Sequence, residues 1–129
     1  LAAWAGLALM ALAACQGDET VKAYGGADKT WRLVAIDDVP FAASATLVFP
    51  EAGKIAGLGP CNSYFATMTV PYPWFEAGPI SSTKRMCPDH AAETAFFAAL
   101  SKMTLSEVLG DTLLLSTPEG RTMLFKADA

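Results

Sequence analysis

One histidine and three cysteines are the whole stock of imidazole and thiol in this chain. A structural zinc site needs four ligands; Cys61, Cys87 and His90 supply three, and Asp89 would complete the set only with awkward geometry. No Gly-x-Ser-x-Gly elbow occurs, and Ser81, Ser82, Asp89 and His90 form no recognisable triad. Phosphate-cradling loops are missing as well: Gly57-Leu58-Gly59-Pro60 offers too few free N–H donors and opens no helix. Positive charge is scarce and scattered. Nine Lys and Arg stand against 13 Asp and Glu, a formal net charge of −4, and only Lys84 and Arg85 are adjacent. That balance excludes nucleic acid as a partner, because neutralising phosphates takes clustered cations.

Charge is absent altogether from residues 1–14. This apolar stretch runs into Leu12-Ala13-Ala14-Cys15, and the composition turns polar at Gln16-Gly17-Asp18-Glu19. It is shorter than the roughly 20 residues a spanning helix needs and has no polar face. An apolar run, small residues and then cysteine form the pattern of a bacterial lipoprotein signal. The expectation is a signal peptide over 1–14, lipid on Cys15 and a flexible tether over 15–29. By analogy with bacterial lipoproteins, Gln16 after the lipid-bearing residue sorts the protein to the outer membrane, facing the periplasm. With Cys15 assigned to lipid, Cys61 and Cys87 remain. In an oxidising compartment such a pair usually joins, the alternative being two buried free thiols.

About 115 residues follow the leader, enough for one domain with a modest core. Strand signals come first: β-branched and aromatic residues over 30–36, ended by Asp37-Asp38, then 45–49. A third strand is predicted from Lys54 to Phe65, with its glycines marking bends. Extended chain continues to Val70, where Pro71-Tyr72-Pro73 interrupts it, and short strands are expected over 74–76 and 80–83. One helix is predicted, over 88–103. Pro88 suits its first position and Asp89 and Glu93 complement its positive end. Ala92, Phe96, Leu100 and Met103, flanked by Ala95 and Ala99, make its packing stripe. The tail reads as strands over 104–108, 112–117 and 122–126, with Leu109-Gly110-Asp111 as a hairpin. The fold class is α+β: a small, strongly curved antiparallel sheet or barrel of short strands with one helix packed against it.

Three runs carry a family resemblance: Gly57-x-Gly59-Pro60-Cys61-Asn62-Ser63-Tyr64, then Thr83-Lys84-Arg85-Met86-Cys87-Pro88, then Gly110-Asp111-Thr112-Leu113-x-Leu115. With Trp31-x-Leu33 and Met123-Leu124-Phe125 they resemble the META domain, the HslJ-like heat-shock family of exported bacterial proteins, over residues 30–126. The domain is accordingly set at 30–129. Pro60 stands where the family usually has Gly, and Met86 where it usually has Ala. The resemblance implies a curved antiparallel sheet, frequent attachment to lipoproteins and a role in stress response, drug tolerance or secretion. It brings no shared enzymatic reaction and no cofactor.

A non-enzymatic envelope lipoprotein follows, a stress-response or accessory module bound to the membrane through Cys15 and to an envelope protein or small ligand. Tyr64, Tyr72, Trp74, Lys84 and Arg85 are its candidate contact surface, since Tyr and Trp between prolines form a rigid rim. The competing reading places those rings in the core. Two alternatives differ in class: a carrier holding a small molecule or lipid inside the curved sheet, and an enzyme using Cys61 with His90. The carrier needs an unfilled interior, and the enzyme needs an activated thiolate.

Overall fold

Residues 20–128 are described in a computed structural model; the predicted leader, Cys15 and the first part of the predicted tether lie outside the described residues. Nine strands, all paired antiparallel, and one α-helix follow. The strands are β1 (Trp31–Ile36), β2 (Val39–Pro40), β3 (Thr46–Leu47), β4 (Lys54–Leu58), β5 (Ser63–Thr67) and β6 (Ser81–Ser82), then, after helix α1 (His90–Leu100), β7 (Leu105–Leu109), β8 (Thr112–Ser116) and β9 (Thr122–Ala127). The larger sheet runs β2-β1-β9-β8-β7, with β3 also on β1, and the smaller runs β4-β5-β6. A bridge between Val48 and Ala56 links them. The fold is the expected α+β class in its open form: two sheets, not a closed barrel.

Two tight turns set the register of the larger sheet. Asp37 and Asp38 both take positive φ between β1 and β2, as a two-residue hairpin loop of the mirror-image type demands. Gly110, at φ 59°, does the same between β7 and β8. Strand alternation then fills the interior from one face: Trp31 and Leu33, Leu113 and Leu115, Met123 and Phe125 are buried. Phe96, Leu100 and Met103 close the core from the helix side.

Four expectations need correction. The segment read as tether is partly built into the domain. Val21 is fully buried, residues Lys22–Gly26 form one π-helical turn, and the Trp31 indole N–H donates to the Gly26 carbonyl. Polar composition hid a single apolar anchor there. Second, the predicted strand from Lys54 to Phe65 breaks into β4 and β5, closed by a bond from Gly59 N to Asn62 O at 2.8 Å. Pro60 has no N–H to continue a ladder. Third, the buried face of α1 is Glu93, Phe96, Ala99 and Leu100, while Ala95 is exposed. The stripe is rotated because a carboxylate goes inside. Fourth, residues 74–76 form no strand: Trp74 makes only an isolated bridge to Leu105.

That bridge belongs to a strap of residues 71–75 that covers the outer edge of β7. Ser106 N donates to Pro73 O at 2.7 Å, Phe75 N to Thr104 O at 2.9 Å, and Val108 N to the Tyr72 hydroxyl at 3.2 Å. Pro71 and Pro73 lack N–H groups, so the strap satisfies the edge without offering a new one to another chain.

Candidate functional site

Two of the three sequence runs of the resemblance are brought together around one buried carboxylate. The loop between β4 and β5 carries Cys61 and Asn62, the segment before α1 carries Thr83 to Cys87, and α1 carries Glu93. Cys61 and Cys87 are joined by a disulfide, their Cα atoms 5.6 Å apart. Glu93 Oε2 accepts the backbone N–H of Cys61 at 2.8 Å and of Asn62 at 2.7 Å, and Oε1 accepts Asn62 Nδ2 at 2.7 Å. Asn62 also bonds the segment before α1. Nδ2 also donates to Arg85 O at 2.9 Å, while Oδ1 accepts Arg85 N at 2.6 Å and Thr83 Oγ1 at 2.8 Å.

Each member of this knot has its polarity set by a backbone group that cannot reverse. Two N–H donors demand an acceptor at Glu93, and the N–H and C=O of Arg85 fix which way the Asn62 amide points. Glu93 is 4% exposed and Asn62 6% exposed, so bulk water is a poor substitute. Burial pushes the Glu93 carboxyl upward, but donation from the Asn62 side chain and the two backbone N–H groups, with the nearby His90, outweighs it and holds the group below the usual carboxylate range. A Cβ at Gly59 would meet Glu93 Oε2 at 2.7 Å, which is why no side chain fits there. Chemically the knot is a clamp. Its thiols are oxidised, and its carboxylate accepts three N–H donors.

The predicted contact residues do not form one surface. Tyr64 is buried: its hydroxyl donates to Thr46 O at 2.7 Å and its ring meets Phe96 edge-on, centroids 5.5 Å apart. Burial pushes its phenol pKa upward. For Tyr64 the core reading holds. Tyr72 is half-buried on the strap, where its hydroxyl accepts Val108 N. Trp74 projects, 57% exposed, at the rim of a groove of about 370 Å³ between the strap and the end of α1. Lys84 and Arg85 are exposed beside a different hollow, of about 200 Å³, next to the knot. Cys15 lies outside the described residues.

The profile of the META domain family matches residues 25–129. The chain belongs to the META domain family. Solved structures share the fold of this META domain. One, an NMR structure of a protein from Burkholderia xenovorans, is 20% identical with a TM-score of 0.62, covering 81% of this chain and 84% of that one. Another, the crystal structure of a DUF4847 family protein from Bacteroides vulgatus, is 16% identical with a TM-score of 0.64, covering 82% and 96%. No curated protein matches the chain.

Within the META domain, the sequence pointed to both cysteines of the clamp, showed Asn62 only as part of the first family run, and gave no site role to Glu93. The available signal was its spacing: Glu93, Phe96 and Leu100 fall on one helical face at three and then four residues. A carboxylate there is either a packing fault or has partners waiting inside.

Proposed function

We propose that this META domain is a non-enzymatic binding module of the bacterial cell envelope, held to a membrane by lipid on Cys15 and acting in stress response or as an accessory to another envelope component. The observation that carries the binding reading is Trp74. The strap holds this large ring out in solvent beside an open groove, on a backbone fixed by its bonds to β7. The knot supports a non-catalytic role, because its reactive groups are engaged with one another and its disulfide leaves neither Cys61 nor Cys87 as a thiolate. The carrier reading finds little support in the interior, which Trp31, Phe75, Phe96 and Phe125 fill; a carrier would have to use a surface groove.

Anchoring is tested by expressing the chain with its leader in a bacterial host fed an alkyne-tagged fatty acid. The expected result is label on the wild type and recovery with membranes, with both lost in Cys15→Ser. Unlabelled wild-type protein, or a Cys15→Ser protein still sedimenting with membranes, overturns the anchor.

A further inference from the structure

The groove beside Trp74 has a composition that narrows its ligand. Its floor is apolar and dry: Phe75 is 2% exposed and Met103 1% exposed. Its lining also includes Glu76 after the strap and Lys102 and Thr104 after α1, all exposed. Among the described residues neither Glu76 nor Lys102 forms an ion pair. The Trp74 backbone is pinned by Trp74 N donating to Pro71 O at 2.8 Å and by the bridge to Leu105, so the ring projects from a fixed base.

From this arrangement we infer that the groove is a binding site for a neutral saccharide, a hexose unit of a glycan. The inference deepens the binding-module reading and rests on it. A pyranose ring has an apolar C–H face and a rim of hydroxyls that both donate and accept. Its C–H face packs on the electron-rich face of an indole. Its hydroxyls donate to the Glu76 carboxylate, accept from the Lys102 ammonium, and do either with Thr104. Glu76 and Lys102 give the lining one charge of each sign and no net charge, so neither a simple anion nor a simple cation is favoured overall, whereas a neutral polyol uses both. A proline-rich peptide is the competing occupant. It docks between aromatic ridges, and this groove presents one exposed ring with its second aromatic, Phe75, sunk in the floor.

The test uses the full chain, labelled with nitrogen-15 and purified in a polyoxyethylene detergent that carries no sugar. The Trp74 indole resonance is assigned with Trp74→Phe, and the protein is titrated separately with the N-acetylglucosamine trimer, with maltotriose and with a proline-rich peptide up to about 10 mM, the range of weak sites. Saturable movement of the Trp74 indole with at least one sugar, while the indole of buried Trp31 stays fixed, is the expected result. Trp74→Ala, followed by the backbone amide resonances of Lys102 and Thr104, which line the same groove, should then bind roughly tenfold more weakly, the loss expected for one aromatic contact. Glu76→Gln and Lys102→Met should each weaken binding at unchanged fold. The inference is overturned by no saturable movement with either sugar, by undiminished binding to Trp74→Ala, or by saturation with a proline-rich peptide alone. Fatty-acid labelling of the same protein reports separately on the anchor, so loss of the sugar result leaves that reading distinguishable.

Discussion

Replacing Glu93 tests the clamp most directly. Glutamine keeps the shape and exchanges one acceptor oxygen for a donor NH₂. Placed with its oxygen toward Cys61 N and Asn62 N, its amide faces Asn62 Nδ2, donor against donor, where the native contact is 2.7 Å. Reversed, it faces two backbone N–H groups instead. Flipping Asn62 offers no escape, because Oδ1 is required by Arg85 N and Nδ2 by Arg85 O. One charge-assisted bond is lost and one buried donor left unmet, about 2 kcal/mol; alanine strands all three donors and costs about 4 kcal/mol. Those losses correspond to a melting temperature lower by about 10 °C and about 20 °C respectively, at roughly 5 °C per kcal/mol for a domain of this size.

The pH dependence supplies a second readout. The folded-state pKa of Glu93 is lowered, so its contribution is fully present above the unfolded value of about 4.3 and is lost as pH falls through the lower folded value. Urea unfolding of both proteins from pH 7 to pH 3, with the disulfide intact, should show the gap between wild type and Glu93→Gln narrowing with acid below about pH 5. Wild-type stability keeps some acid sensitivity in either case, since Arg121 beside Asp37 and Arg32 beside Asp128 hold those carboxyls low too. A Glu93→Gln protein within about 0.5 kcal/mol of wild type at pH 7, or a gap independent of pH, refutes the reasoning.

Two further outcomes follow from the packing. Closing a loop across a sequence separation of 26 stabilises by about 3.5 kcal/mol in the chain-entropy model, so the double change Cys61→Ala, Cys87→Ala should lower the unfolding free energy by that amount; an unchanged urea midpoint would contradict it. A chain beginning at Thr30 loses buried Val21 and leaves the Trp31 indole N–H without the Gly26 carbonyl. It should be about 3 kcal/mol less stable than one beginning at Thr20 by the same urea measurement, and equal stability would show that residues 20–29 contribute nothing.

What was legible in the sequence was local. Asp37-Asp38 and Gly110-Asp111 announce turns through their own backbone preferences, and β1, β7 and β8 follow from runs of four to six residues. The helix is visible in its period. The clamp is harder, because it is written in pairs far apart: Glu93 meets Asn62 across 31 residues, and Asn62 meets Arg85 across 23. Read alone, Glu93 is an ordinary first-turn acid that suits the helix dipole. Tyr64 misleads in the opposite direction. Its hydroxyl suggests a surface, yet Thr46 O, 18 residues away, satisfies it inside. Compartment logic paired the cysteines correctly because it needs no geometry, only a count and an oxidising environment.

The docked segment also changes what a lipid anchor would do. A free tether from Cys15 to the first strand would allow a stand-off of roughly 50 Å at full extension. With Val21 buried, a lipid on Cys15 would lie five residues before Thr20, a span of at most about 18 Å. On the lipoprotein reading, the domain would therefore stay close to the bilayer that holds it. A binding module with so short a reach samples only the layer next to its own membrane. If the anchor and the glycan site proposed above both hold, a glycan displayed in that layer would be reached without any long arm on the protein.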